Sequence, residues 1–423
     1  MLTIFCGHFY FMIHTKVCIV GCGPAGAAAA LQLNQEGIDC VVVDKAVFPR
    51  DKVCGDGLSG KVPTALKRID PELAKRLKSF EWKVDSLGVS FIAPNRERLD
   101  VGFVNNVGEK VIDTPIGYVC KRIDFDNFLV EEVKKCKHVQ LFQNKNITAY
   151  QLNPDGYIVT DSDGFDIKAE MLIIANGAHS PFSKEVAGIE MEPEHFCAGI
   201  RAYYKNVSGN HPDNFIELHF LKDLLPGYFW IFPLPNGEAN VGLGILSKEA
   251  RRKKMNLKKE LLRIVETDPV LKERFKNAAL IGSIDGYGLP LGSKTRKLSG
   301  ERFLLTGDAG SLIDPFTGEG IGNALYSGRA AAKVAAKAIA NNDFSAAGLL
   351  WYDKEIERIL GQELKLSTRI QKLVRFPYLF NLLLNISARN KKVKELMSCM
   401  FYEVDLRKKL TKPSFYINLL LNR

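Results

Sequence analysis

The hexapeptide Gly21-Cys22-Gly23-Pro24-Ala25-Gly26 limits what this chain folds into more than any other stretch. A β-branched run at 17–20 precedes it, an alanine-rich stretch at 27–35 follows, and a second apolar run at 38–43 ends at Asp44. That order predicts a strand, a tight turn, a helix and a second strand. Apolar strands flanking a helix predict a parallel sheet covered on both faces. Within G-x-G-x-x-G the first glycine permits the turn, the second lets a pyrophosphate approach the backbone, and the third allows close helix–strand contact. The free N–H groups at the helix start, with the positive end of its dipole, hold phosphate. Asp44, 18 residues beyond Gly26, stands where a carboxylate accepts from a ribose 2′-OH. A glycine turn alone needs no ligand; with strand, helix and carboxylate in register, the stretch predicts dinucleotide binding.

Elsewhere the pattern changes. Short alternating segments at 88–92, 198–204, 215–220 and 228–232, separated by Gly, Pro and Asn, predict antiparallel strands of a second layer. A helix is expected at 124–136, hairpins around Asp155-Gly156 and Asp163-Gly164, and buried strands at 171–175 and 303–306. A long small-residue helix begins at 318, and everything beyond 342 reads as helical. The cations from Lys248 to Lys259 predict the solvated face of one surface helix.

With 423 residues, 46% hydrophobic and 25% charged, the composition excludes a disordered chain, a coiled coil and a collagen-like fibre. No uninterrupted apolar stretch reaches the length of a spanning helix. The nine Cys are scattered, odd in number and without C-x-x-C, which predicts a reducing compartment rather than disulfides or a zinc ribbon. The seven His show no H-x-x-x-H spacing, so no metal site is expected. The apolar opening MLTIFCGHFYFMIHT lacks a cationic start and a small-residue cleavage site; residues 1–11 are expected to be an extension ahead of Met12 that the fold does not need. Net charge is +10, and residues 389–412 hold eight Lys/Arg against three acids. Those cations lie among the apolar runs 376–384 and 415–421, which fits either a face resting on anionic lipid or a helical cap completing the core. They are not interleaved with a recognition motif, which argues against nucleic acid.

A second glycine-rich loop follows the 303–306 strand. Asp308 sits at its start, and Pro315-Phe316-Thr317-Gly318-Glu319-Gly320-Ile321-Gly322 leads into the long helix. Free N–H donors and a positive helix end suit a group that becomes anionic on reduction, as a flavin ring does. The alternative for Asp308 is a helix N-cap.

These two loops together resemble the FAD-dependent oxidoreductases related to p-hydroxybenzoate hydroxylase. Three stretches resemble the geranylgeranyl reductase family within them: 44–58, with Cys54-Gly55-Asp56-Gly57-Leu58; Tyr228-Phe229-Trp230-Ile231-Phe232-Pro233 followed by Asn240-Val241-Gly242-Leu243-Gly244; and the late glycine loop itself. The Cys54–Leu58 form is also similar to bacterial menaquinone reductases. The resemblance covers roughly residues 16–340. It implies an α/β fold: a Rossmann-like FAD-binding domain (16–85, 124–195 and 286–341), an inserted antiparallel-sheet substrate domain (86–123 and 196–285) and a C-terminal helical region (342–423).

The resemblance also implies where FAD lies. Its adenine end would meet Asp44 and Lys45, its pyrophosphate Gly21, Gly23, Ala25 and Gly26, its ribityl chain Asp308, and its isoalloxazine Gly318, Gly320, Ile321 and Gly322. Arg122 matches the family's cofactor-side arginine, with a helix-flanking surface charge as the alternative. The loop from Arg50 through Cys54 and Gly55 would pass close to the flavin. Tyr228, Trp230 and Phe232 alternate onto one strand face and would line a slot for a polyprenyl lipid or quinone side chain, although such a stripe also fills cores. Saturating an isolated alkene needs hydride at one carbon and a proton at the other, and Cys54 is the candidate proton donor; a small buried filler is the competing reading. One departure is Asn176, where these flavoproteins carry Asp before Gly177. It leaves NAD(P)H, ferredoxin or a membrane donor open as the electron source. The expected function is an FAD-dependent reductase of polyprenyl double bonds, either free in the cytoplasm or associated with a membrane there. A flavin monooxygenase or halogenase is the alternative on this scaffold, with a non-catalytic flavin- or lipid-binding protein as a third class; a halogenase would show W-x-W-x-I-P in place of 228–233.

Overall fold

In the computed structural model, residues 12–102 and 117–389 are described, together with the short strand pairs Ile4–Phe5/His8–Phe9 and Asn106–Val107/Lys110–Val111. The remaining expectations for 1–11, and those for the stretch beyond Arg389, lie outside the described residues.

The strand Ile13–Val20 is buried over its last four residues because parallel neighbours flank it on both sides. Val17 pairs with Cys40 on one edge and Met171 on the other, and Leu172 pairs in turn with Phe303. The sheet order is Val139–Phe142, Cys40–Val43, Ile13–Val20, Asp166–Ile174, Gly156–Asp161 and Ile147–Asn153, with Phe303–Leu305 also on Asp166–Ile174. Parallel register brings Gly21, Asp44, Ala175 and Thr306 to one end of the sheet, where ligands of such sheets bind.

The helix Pro24–Gln35 opens with Pro at its first position, where no N–H is needed. Its alanines are buried because the long helix Ile321–Asn341 lies against it; a Cβ on Gly328 would stand 2.0 Å from the Ala25 carbonyl oxygen. That long helix starts at 321 rather than 318. Gly318 takes a left-handed φ of +72° and Gly320 caps the helix, so the glycines form the approach to the helix instead of its first turn.

The second sheet runs Ala279–Pro290, Phe196–Lys205, Glu238–Leu246, Tyr228–Pro233, Ile216–His219, Gly88–Ile92 and Arg98–Gly102. Its pairs are antiparallel except Ile216–His219 with Gly88–Ile92, which is parallel. One face packs Phe229, Ile231 and Val241 against the helix Leu257–Thr267; the other turns towards the parallel sheet. A small third sheet pairs Gly117–Val119 with Gly57–Ser59 and Val84–Asp85.

The surface helix expected from Lys248 to Lys259 is two helices, Ser247–Arg252 and Leu257–Thr267. Lys254, at φ +48°, turns the chain out of the first, and the Asn256 side chain caps the second by accepting from Lys259 N at 3.0 Å. Beyond 342 the described chain is largely helical, ending in Gln362–Val374 and Pro377–Arg389.

Candidate active site

A cavity of about 640 Å³ lies between the end of the parallel sheet and the inner face of the second sheet. It runs from Asp44 and Lys45 past Gly21, Gly23, Ala25 and Arg50 to Asp308, Gly318, Gly320 and Ile321, and on to Cys54, Gly55, Arg122, Tyr228, Trp230 and Phe232. Two glycines expected on the cofactor do not line it. A Cβ on Gly26 would fall 1.8 Å from Gly21 O, and one on Gly322 would fall 2.6 Å from the Lys61 Cβ. Both are needed for packing.

The first loop shows why its glycines differ. Gly21 adopts φ +102°, and its Cβ would meet Ala175 O at 2.5 Å. Among the described residues, a Cβ at Gly23 would find only an Arg50 guanidinium nitrogen, at 3.7 Å. That open cradle over a helix N-terminus, beside a cation, fits a pyrophosphate. Asp44 is held at the strand end by Cys22 N (2.7 Å) and Ala46 N (2.8 Å), one bond to each oxygen, so each keeps accepting capacity for a ribose. Asn176 Oδ1, buried in the cavity wall, has no partner among the described residues and is an acceptor in want of a donor. These features fit an extended dinucleotide.

Beside the cradle lies a charged knot. Arg122, buried in the helix Arg122–Lys134, makes a two-pronged bond to Asp126 (2.7 Å each), and Arg50 donates to the same carboxylate at 2.6 Å. Burial alone would raise the Asp126 carboxyl; the guanidiniums outweigh it and hold it below the usual carboxylate range. Arg122 and Cys54 both line the cavity. Arg122 is therefore an interior group, not a surface charge. Asp126 was missed, although its position four residues after Arg122 is the spacing of a helical ion pair. Asp308 pairs with Lys52 Nζ at 3.2 Å, so its side chain answers a cation rather than capping a helix.

On the opposite wall, the Tyr228, Trp230 and Phe232 rings follow one another at 6.1 and 6.2 Å between centroids. Trp230 pairs with Gly242 across the sheet, where a Cβ would stand 2.3 Å from the indole, so the glycine makes room for the ring. Phe232 lies on the cysteine loop, 3.3 and 3.2 Å from where side chains on Gly55 and Gly57 would begin. Asp56, Asn240 and Tyr203 behind this wall were also missed. Asp56 is fully buried; burial pushes its carboxyl up to about 6 against the bonds from Asn240 and Tyr203.

A nucleotide cradle on a parallel sheet, facing a second sheet across one continuous cavity, defines a flavin-dependent oxidoreductase. A family model described as FAD binding domain matches residues 14–359. Menaquinone reductase of Mycobacterium tuberculosis is 29% identical over 371 residues, covering 85% of this chain and 84% of the relative. Digeranylgeranylglycerophospholipid reductase 2 of Methanopyrus kandleri is 30% identical over 370 residues, covering 84% and 86%. Among solved structures, a geranylgeranyl bacteriochlorophyll reductase-like protein of Thermoplasma acidophilum superposes with a TM-score of 0.78 at 23% identity, over 95% of this chain and 99% of that one. The flavin-dependent brominase Bmp2 shares the fold with a TM-score of 0.75 at 20% identity, over 97% and 98%. The chain belongs to the geranylgeranyl reductase family of FAD-dependent oxidoreductases, and FAD is its cofactor.

Proposed function

We propose that this enzyme saturates carbon–carbon double bonds in a polyprenyl chain, either a geranylgeranyl lipid or the side chain of a quinone. The observation that carries this reading is the cavity wall of Tyr228, Trp230 and Phe232, an apolar face set against the cysteine loop and the late glycine loop. The names of the relatives point the same way.

When bound and reduced, FAD supplies hydride. In this reading the Gly23 cradle and Arg50 hold the pyrophosphate, and Asp44 the adenosine ribose. Lys52 and Asp308 border the ribityl chain, and the backbone around Gly318–Ile321 borders the ring system. The aromatic wall strips water from the prenyl chain and orients one double bond. An isolated alkene has no carbonyl to draw electrons, so a proton must be delivered at its second carbon; in this reading Cys54, which lines the cavity, gives it. The test is anaerobic incubation of reduced protein with geranylgeranyl lipid or menaquinone, followed by mass spectrometry of fragments of the prenyl chain. A gain of two hydrogens per double bond is expected. Replacing Cys54 with Ala should slow that gain; an unchanged rate removes the thiol from the reaction.

The same reading has the enzyme meet its substrate at a membrane surface. No helix among the described residues is long and apolar enough to cross a bilayer. Phe376 and Tyr378 are 60% and 77% exposed, Leu379 and Leu382 lie exposed one turn on, and Lys372 and Arg375 flank them. Gln371, one turn earlier, lines the cavity. Apolar side chains flanked by cations suit an anionic lipid surface. Flotation with acidic liposomes at low salt is expected to carry the protein upward; a protein that stays at the bottom contradicts this contact.

A further inference from the structure

The loop 49–58 leaves the parallel sheet side of the cavity, yet it is fastened from the other sheet. Asn240, fully buried in the strand Glu238–Leu246, donates through Nδ2 to the Cys54 carbonyl oxygen (2.7 Å) and to Asp56 Oδ2 (2.8 Å). Its Oδ1 accepts from the Trp230 indole Nε1 at 2.8 Å. The reversed amide would set N–H against N–H at the indole, so the network admits one orientation. Asp56, held at φ +64°, also accepts the Tyr203 hydroxyl at 2.8 Å and Arg122 N at 3.3 Å. One side-chain amide thus joins the main chain at Cys54, the carboxylate two residues on and the indole on the cavity wall. Strand pairing does not require a polar residue at 240, and an apolar side chain there would leave the indole N–H, the Cys54 carbonyl and one carboxylate bond unmet.

We infer that Asn240 is a positioning residue, whose amide holds the Cys54 loop in register with the aromatic wall so that thiol and indole face the same stretch of substrate. The inference rests on the proposed roles of Cys54 and the aromatic wall, but the clamp itself concerns where the loop sits. Asparagine suits the post better than its charged isostere. Aspartate would set a second carboxylate against Asp56 and retain at most one donor, so the loop would keep at most one of its two bonds.

The experiment is peptide-resolved alkylation of the FAD-loaded enzyme with iodoacetamide, with Cys136 as the internal reference. In Asn240→Ala, the Cys54 alkylation rate relative to Cys136 should rise at least about tenfold, since the variant loses both bonds to the loop and one buried hydrogen bond alone is worth about that factor. Turnover should fall through kcat with KM for the lipid little changed, since the aromatic wall remains. Trp230→Phe keeps both loop bonds and should leave the alkylation rate near wild type. A wild-type Cys54 rate in flavin-loaded Asn240→Ala overturns the clamp. Should that variant fail to fold, the isosteric Asn240→Asp carries the test: a raised rate supports the clamp and an unchanged one overturns it. If Cys54→Ala keeps full activity, the proposed proton donor falls, while the alkylation result still decides the clamp.

Discussion

The two walls of the cavity are built by different means. On the nucleotide side, position is set by backbone passing close to backbone: Gly21 against Ala175, Gly26 against Gly21, Gly328 against Ala25. On the substrate side, position is set by side chains far apart in the chain. Arg201 grips Asp51 across 150 residues, Tyr203 bonds Asp56 across 147, and Asn240 bonds the Cys54 carbonyl across 186. A backbone cradle is rigid and shaped for one constant ligand. A wall held by side chains can be re-set by single substitutions, which suits the part of a family fold where substrates differ.

The largest expected effect tests the backbone wall. Gly26→Ala forces a Cβ to 1.8 Å from a carbonyl oxygen and should give protein that neither folds stably nor holds FAD. Gly23→Ala, in the same loop, meets only a flexible guanidinium and should fold with a near-normal melting temperature. Its FAD affinity should fall about tenfold or more, because the lost space is where the pyrophosphate approaches. Flavin absorbance and thermal melts on the pair separate packing from ligand contact; equal behaviour of the two would break the comparison.

Next comes the knot between the walls. Asp126→Ala leaves the buried Arg122 without its two-pronged partner and should destabilise by about 3–5 kcal/mol in urea unfolding. A loss under 1 kcal/mol would show the pair to be better solvated than its burial implies.

The smallest effect concerns the substrate wall. Burial raises the Asp56 carboxyl from 3.8 to about 6. Between those values the folded protein keeps a proton that the unfolded chain has lost. This group's contribution is therefore complete below the lower value, declines as pH rises towards the upper one, and is flat above it. The decline amounts to roughly 3 kcal/mol. Asp56→Asn should remove that part of the slope in urea-unfolding free energy, and an unaltered slope would mean Asp56 is ionised throughout.

The contrast between the walls also explains which parts of the site are legible in the sequence alone. Gly21, Gly23 and Asp44 were legible because one short βαβ unit contains turn, helix end and carboxylate. The alternation of Tyr228, Trp230 and Phe232 was legible because a strand has a period of two. Asp56, Asn240, Tyr203 and Arg201 were not, since their meaning arises only when the loop 49–58 meets strands more than a hundred residues further along the chain. The motif already assigns Gly26 to close helix–strand contact, but spacing could not tell that the side chain missing at Gly322 makes room for protein rather than cofactor. The split of the 248–259 segment turned on one left-handed residue, Lys254, which amphipathic periodicity does not reveal.

The central claim, reduction of a prenyl alkene at this cavity, is tested most directly by stopped-flow absorbance of the reduced, oxygen-free enzyme mixed with a geranylgeranyl lipid that carries no quinone ring. The account predicts that the oxidised flavin spectrum returns as the lipid gains two hydrogens per turnover, without oxygen. A flavin that stays reduced with every prenyl substrate, and is reoxidised only when oxygen and an aromatic compound are admitted, would contradict it.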